Sequence, residues 1–174
     1  MSSRTFPYLK EFVYGGIDGC VTTFAVVAGA TGANLSSGII IVLGFANLIA
    51  DGFSMSVGNY LSVKSEIASD KKLLLDLNRK SPIQTAGATF FSFLIMGFIP
   101  LFVYVLGYLN AIQDKNILFP VSSVLTLSAF LFIGFLRSHV TSTSVLKSIA
   151  ETLFLGGIAA FLAYFVGTAL ENML

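Results

Sequence analysis

Within the apolar run SSGIIIVLGFANLIADGFSMSVGNYLSV, four side chains bearing oxygen or sulfur recur at steps of four: Asn47, Asp51, Met55 and Asn59. On a helix that spacing places them on one slowly drifting face. A little earlier, EFVYGGIDGCVTTFAVVAGATGA carries Asp18 among uncharged residues that follow Glu11, which lies two turns before it on the same face. Carboxylate and amide oxygens suit hard divalent ions, and a thioether shifts preference toward iron, cobalt or other softer transition metals. An aspartate at mid-bilayer costs roughly 2.5–3.5 kcal/mol on insertion scales. A bound cation would offset that cost, and protons would compete with it for the same carboxylates.

Each residue also has a plainer reading. Met55 alone would be core filler. Asn47 and Asn59 alone would be hydrogen bonders between helices. Asp18 and Asp51 could be structural acids paired with hydroxyls such as that of Thr22, and Glu11 a headgroup-level charge beside Lys10. Two acids and a methionine on neighbouring helices weigh toward function. The single cysteine, Cys20, excludes an intramolecular disulfide and a cysteine-based zinc site, and reads as a small apolar core residue. The one histidine, His139, reads as a solvated loop residue at the end of the fourth span. Glu66, Asp70 and Asp76 read as the wet face of a cytoplasmic helical extension.

These residues need apolar helices to position them, and the composition supplies little else. Of 174 residues, 55% are hydrophobic and 11% charged, which excludes an ordinary soluble domain. The expected class is all-α: a polytopic membrane protein with five spans, at about 12–33, 37–63, 83–109, 118–136 and 149–170, forming one transmembrane domain. Each is long enough to cross a hydrocarbon core of about 30 Å. A charged linker, 64–82, separates the second and third. No cleavable signal peptide is expected, because the N-terminus MSSRTFPYLKEF is polar and short.

Basic residues fix the expected orientation. With the N-terminus inside, Arg4, Lys10, Lys64, Lys71, Lys72, Arg79, Lys80, Arg137 and Lys147 face the cytosol, and only Lys115 lies outside. The chain is therefore expected to run N-in, C-out. A net charge of +1 gives no reason to expect a nucleic-acid partner.

Small residues repeat at helical spacing on three spans: Gly15 and Gly19 with Ala25, Gly29 and Ala33; Ala50, Ser54, Gly58 and Ser62; and Gly156 with Ala160, Ala163 with Gly167. Such faces allow helices to approach closely in lipid, within one chain or across a dimer. Pro100 interrupts the third span and is expected to kink rather than break it. The odd number of spans argues against a duplicated inverted repeat within the chain.

With these motifs together, the chain resembles the vacuolar iron transporter family along nearly its whole length. Asp18-Gly19 followed by a small-residue, threonine-containing helix is similar to the family's first-helix signature. SMSVGNYLSVKSE, with Met55, Gly58, Tyr60 and Ser62, is similar to its SMGLGEYLS-type second-helix signature. FSFLIMGFIPLF and LFLGGIAAFLAYFVG resemble its third and fifth helices. The resemblance implies a five-helix homodimer that moves ferrous iron, often manganese, out of the cytosol against protons. It implies Asp18 and Met55 as metal ligands and Glu11 as the acid at the cytoplasmic mouth.

Two departures stand out. The family usually has glutamate where this chain has Asn47 and again where it has Asn59, while Asp51 replaces a commonly small residue. Asp51 lies one turn, about 6 Å, from Asn47 and would restore the missing carboxylate. The long glutamate-rich cytoplasmic domain of many members is replaced by the short 64–80 segment. The expected function is a divalent transition-metal transporter for Fe2+ or Mn2+, proton-coupled and exporting from the cytosol, with metal as substrate and no resident cofactor. It is not expected to be an enzyme. The expected location is the cell membrane. The expected ligands are Asp18, Asp51, Met55, Asn47 and Asn59, with Glu11 at the mouth. The rival readings are a carrier of another small cation or solute, and a non-transporting membrane subunit.

Overall fold

The structure, a computed structural model, describes residues 7–69, 80–112 and 114–173. It is helical, with no strand among the described residues. Five long helices follow one another: α1 Leu9–Gly32, α2 Ser37–Ser69, α3 Pro82–Tyr108, α4 Leu118–Thr141 and α5 Val145–Glu171, with a 3₁₀ turn at Lys115–Ile117 leading into α4. All five are long and apolar enough to cross a membrane, so the protein is an integral membrane protein of five helices. α2 runs on past the apolar stretch through Lys64 and Glu66 to Ser69. Asp70 and Asp76, read as the far part of that wet face, lie outside the described residues.

Helix ends follow from local chemistry. α1 ends at Asn34, whose φ of 52° is left-handed, while the Leu35 amide reaches back to the Ala30 carbonyl at 2.9 Å. α3 ends in the same way at Asn110, with the Ala111 amide on the Leu106 carbonyl. Asparagine tolerates this conformation better than most residues, so it closes a helix where the chain must reverse. α3 begins at Pro82, whose fixed φ and missing N–H suit a first helical turn. Pro100 lies inside α3, which continues as helix through it, and the Ser122 hydroxyl of α4 donates to its carbonyl at 2.6 Å.

α1 is the least apolar of the five helices and also the most enclosed. Its small residues make this possible. A Cβ on Gly15 would meet Ser92 Oγ and the Thr89 carbonyl of α3, and one on Gly19 would strike the Phe93 carbonyl. Further along, Gly29 and Gly32 meet the backbone of α5 at Ala163 and Tyr164, and Gly167 of α5 fits against Gly29. The glycine faces of the first and fifth spans are thus used inside the chain.

Two apolar clusters flank α1. One gathers Val27, Leu48, Phe93, Leu101 and Tyr104, with Met55 packed at its edge. The other holds Val13, Cys20, Met96, Phe130 and Ile133. Cys20 is a fully buried core residue. His139 is exposed, as expected, but it sits in the last turn of α4 rather than in a loop, its ring against Phe135 and its Nδ1 3.1 Å from the Phe135 carbonyl.

α2 buries only a narrow stripe, Ile40, Gly44, Leu48 and Gly52, again at steps of four. Its small face is open: Ala50, Ser54, Gly58 and Ser62 are all exposed, and nothing within the chain lies near a Cβ built on Gly58. α5 is similarly bare, but there the exposed side chains are bulky, including Phe154, Phe161 and Phe165.

Candidate functional site

The six residues singled out from sequence fall into two groups. Glu11, Met55 and Asn59 line one cavity of about 610 Å³ between α1, α2 and the start of α3, together with Lys10, Tyr14, Glu66, Lys80 and Thr89. Asp18 and Asp51 lie beyond it, one helical turn past the lining residues Gly15 and Met55. Asp18 is carried by α1 and Asp51 by α2, and these two helices pack against each other. Asn47 lies a further turn along α2, with its amide nitrogen buried and unpartnered.

Glu11 is 9% exposed, in the first turn of the most enclosed helix. Its Oε1 accepts from Lys80 Nζ at 2.6 Å. Its Oε2 is buried with no hydrogen-bond partner among the described residues. The Glu11 carboxylate is thus inside the helix packing, paired with Lys80, while Lys10 lines the same cavity.

Asn59 donates from Nδ2 to Thr89 Oγ1 at 2.6 Å, and Thr89 Oγ1 donates in turn to the Thr85 carbonyl. The amide nitrogen of Asn59 is thereby anchored to α3 as an interhelical hydrogen bond, the role its residue type favours by default. No hydrogen bond to its carbonyl oxygen occurs among the described residues, and Asn59 lines the cavity. Met55 both packs on the apolar cluster and lines the cavity.

Thr22 does not neutralise Asp18, since its hydroxyl donates to the Asp18 backbone carbonyl at 2.8 Å. Two salt bridges occur among the described residues, Lys80–Glu11 and Arg137–Glu151, and neither involves Asp18 or Asp51. Asp18 is half-buried and Asp51 is exposed on the open face of α2. Among the described residues no three His, Cys, Asp or Glu side chains come together as a metal cluster. A cation held here would draw on the aspartate pair together with amide, hydroxyl, thioether or water donors.

Thr89 and Lys80 were not anticipated from the sequence. Thr85, Thr89 and Ser92 form a hydroxyl row at helical spacing inside an apolar span, and that row was the available signal for Thr89. Lys80 stands in a charged segment with four other basic residues, and nothing in the sequence separates it from them.

A bundle of five apolar helices, with Glu11 buried in it and a cavity between α1, α2 and α3, defines a polytopic membrane protein. A family model described as the VIT family matches residues 9–75 and 67–168, two segments that meet in the charged stretch between α2 and α3. The chain belongs to the VIT family. A vacuolar iron transporter of Toxoplasma gondii is 49% identical over 59 residues, which cover 34% of this chain and 20% of that protein. Vacuolar iron transporter 1 of Arabidopsis thaliana is 25% identical over 221 residues, covering 94% of this chain and 86% of the relative. The vacuolar iron transporter of Plasmodium berghei is 23% identical, covering 95% and 83%. An alignment of 221 positions exceeds the 174 residues present here, so the Arabidopsis relative holds additional residues opposite gaps in this chain.

Proposed function

We propose that this protein carries divalent transition-metal ions, Fe2+ or Mn2+, out of the cytosol in exchange for protons. The observation that carries the reading is the Asp18–Asp51 pair. Two carboxylates sit on packed apolar spans, no cation among the described residues pairs with either, and a cavity lined by Glu11, Met55 and Asn59 ends one turn away. Left without a cation or protons, such a pair is strongly disfavoured in low dielectric. A divalent ion or two protons would each neutralise it, and alternation between the two is an exchange cycle. Met55, Asn47 and Asn59 supply the neutral ligands, and Glu11 the acid at the cavity mouth.

The working unit is a homodimer. The open small face of α2, with Ala50, Ser54, Gly58 and Ser62, fills a lipid-facing surface poorly and suits a second copy. Asp51 borders that face, so a partner would also enclose a carboxylate that the single chain leaves exposed. The cavity lies on the cytosolic side, in keeping with the basic residues around it and an N-in, C-out course. The relatives are named for the vacuole, while the sequence reading favours the cell membrane. Transport away from the cytosol has the same sense across either.

Proteoliposomes loaded with a metal-quenched dye test the reading. The wild type should take up Fe2+ and Mn2+ when the lumen is more acidic than the outside, protons leaving as metal enters, and Asp18→Asn should not. Wild-type vesicles that move neither ion would leave the non-transporting subunit as the better reading.

A further inference from the structure

We propose that Lys80 is a tethered competitor for the metal, an ammonium that occupies the mouth carboxylate when no ion is there and sets how much cytosolic metal is needed to enter. The inference rests on the transport reading above and adds a determinant of apparent affinity to it.

Lys80 immediately precedes the Ser81–Pro82 start of α3, so its backbone is fixed at the cavity rim. Its Nζ lies 2.6 Å from Glu11 Oε1 and 5.7 Å from the centre of the Tyr8 ring. Tyr8 is itself held by its hydroxyl donating to Gln84 Oε1. The lysine side chain is 40% exposed while Glu11 is 9% exposed. The cation can therefore leave toward water, whereas the carboxylate cannot.

The other Glu11 oxygen, Oε2, is buried with no hydrogen-bond partner among the described residues, and Glu11 lines the cavity with Met55, Asn59, Thr89 and Glu66. A purely structural ion pair would leave no reason for that spare acceptor. A carboxylate with one oxygen on a removable cation and the other unused fits one that exchanges partners. Lysine suits this role because its ammonium is a compact charge on a flexible stem, whereas a planar guanidinium would hold the carboxylate through two fixed bonds. The Tyr8 ring offers the displaced ammonium a nearby second position, since aromatic faces attract cations.

Wild-type protein in nanodiscs allows a direct test. Lys80 is acetylated with an isotope-coded anhydride, with and without Mn2+, and its modification is read by mass spectrometry. Displacement predicts that saturating Mn2+ raises Lys80 modification several-fold, and that Glu11→Gln gives the high level without metal and removes the response. Unchanged or reduced modification on adding Mn2+ would overturn the proposal. In proteoliposomes, Lys80→Gln should lower KM for Mn2+ roughly five- to tenfold with little change in kcat, while Lys80→Arg should not lower it. A Lys80→Gln protein that folds and keeps the wild-type KM would also overturn it. Should that variant fail to fold, the wild-type labelling decides alone. Absence of wild-type flux would refute the transport reading, and that result is separate from the labelling response.

Discussion

Gly19 of α1 lies against the backbone carbonyl of Phe93 in α3, and no Cβ fits between them. Gly58 of α2 has nothing near it in its own chain. The two glycines sit in similar small-residue repeats, yet one serves the fold and the other is left over. Gly19→Leu should therefore unfold or loosen the chain itself, by about 1–3 kcal/mol or more because the obstacle is backbone. Thermal unfolding of the purified protein in detergent measures this, and a Gly19→Leu variant as stable as wild type would contradict the packing.

Gly58→Leu should behave in the opposite way. The folded chain should keep its thermal stability, while the dimer should weaken at the close contact a leucine obstructs. Light scattering in mild detergent separates the two quantities. Wild-type protein that is monomeric across several mild detergents would count against the dimer.

Much of this organisation could be read from residue order. The helix count followed from the lengths of apolar runs, and the core position of Cys20 from its type. The four-residue steps put Asn47, Asp51, Met55 and Asn59 on one helix face, of which Met55 and Asn59 line the cavity while Asp51 and Asn47 lie beyond it. The pairing of faces could not be read. Spacing permits Gly15 and Gly19 to approach any helix, and only the assembled bundle shows that the hydroxyl row of α3 meets them. The Lys80–Glu11 pair joins residues 69 positions apart through a charged segment of interchangeable appearance, so no local pattern marks it. The second aspartate was visible, but its neighbourhood with Asp18 depends on how α1 and α2 cross.

Orientation is tested by labelling. Ser69 ends α2 on the side of the cavity, and Asn116 lies in the turn before α4. Cysteines placed at these two positions should react from opposite sides of the membrane with an impermeant reagent. Cys20 is buried and should remain silent. Reaction of both from one side would discard the N-in, C-out course.

Met55 separates ion selectivity from ion transport. Met55→Leu keeps the side chain's volume and its packing beside Leu48 and Phe93 while removing the sulfur, and volume-conserving swaps usually cost under about 1.5 kcal/mol. Folding should survive. Uptake of Fe2+ or Co2+ should fall more than uptake of Mn2+, since thioether sulfur favours the softer ions. Equal loss for all three would make Met55 a packing residue only.

Asp51 decides whether the second carboxylate has moved along α2. If it replaces the glutamate usual at position 47, then Asp51→Asn should reduce metal flux nearly as far as Asp18→Asn, on the order of a hundredfold, as loss of a metal-supporting group can. Each change removes one negative charge from a site that must neutralise a divalent ion in low dielectric. Because Asp51 is exposed and neither ion pair among the described residues involves it, its loss should leave thermal stability intact, which distinguishes a transport defect from a folding one. Asn47→Glu in the Asp51→Asn background should restore transport, since positions 47 and 51 are one turn apart on the same helix. Full flux from Asp51→Asn alone, with unchanged metal affinity, would show that Asp51 is no part of the site.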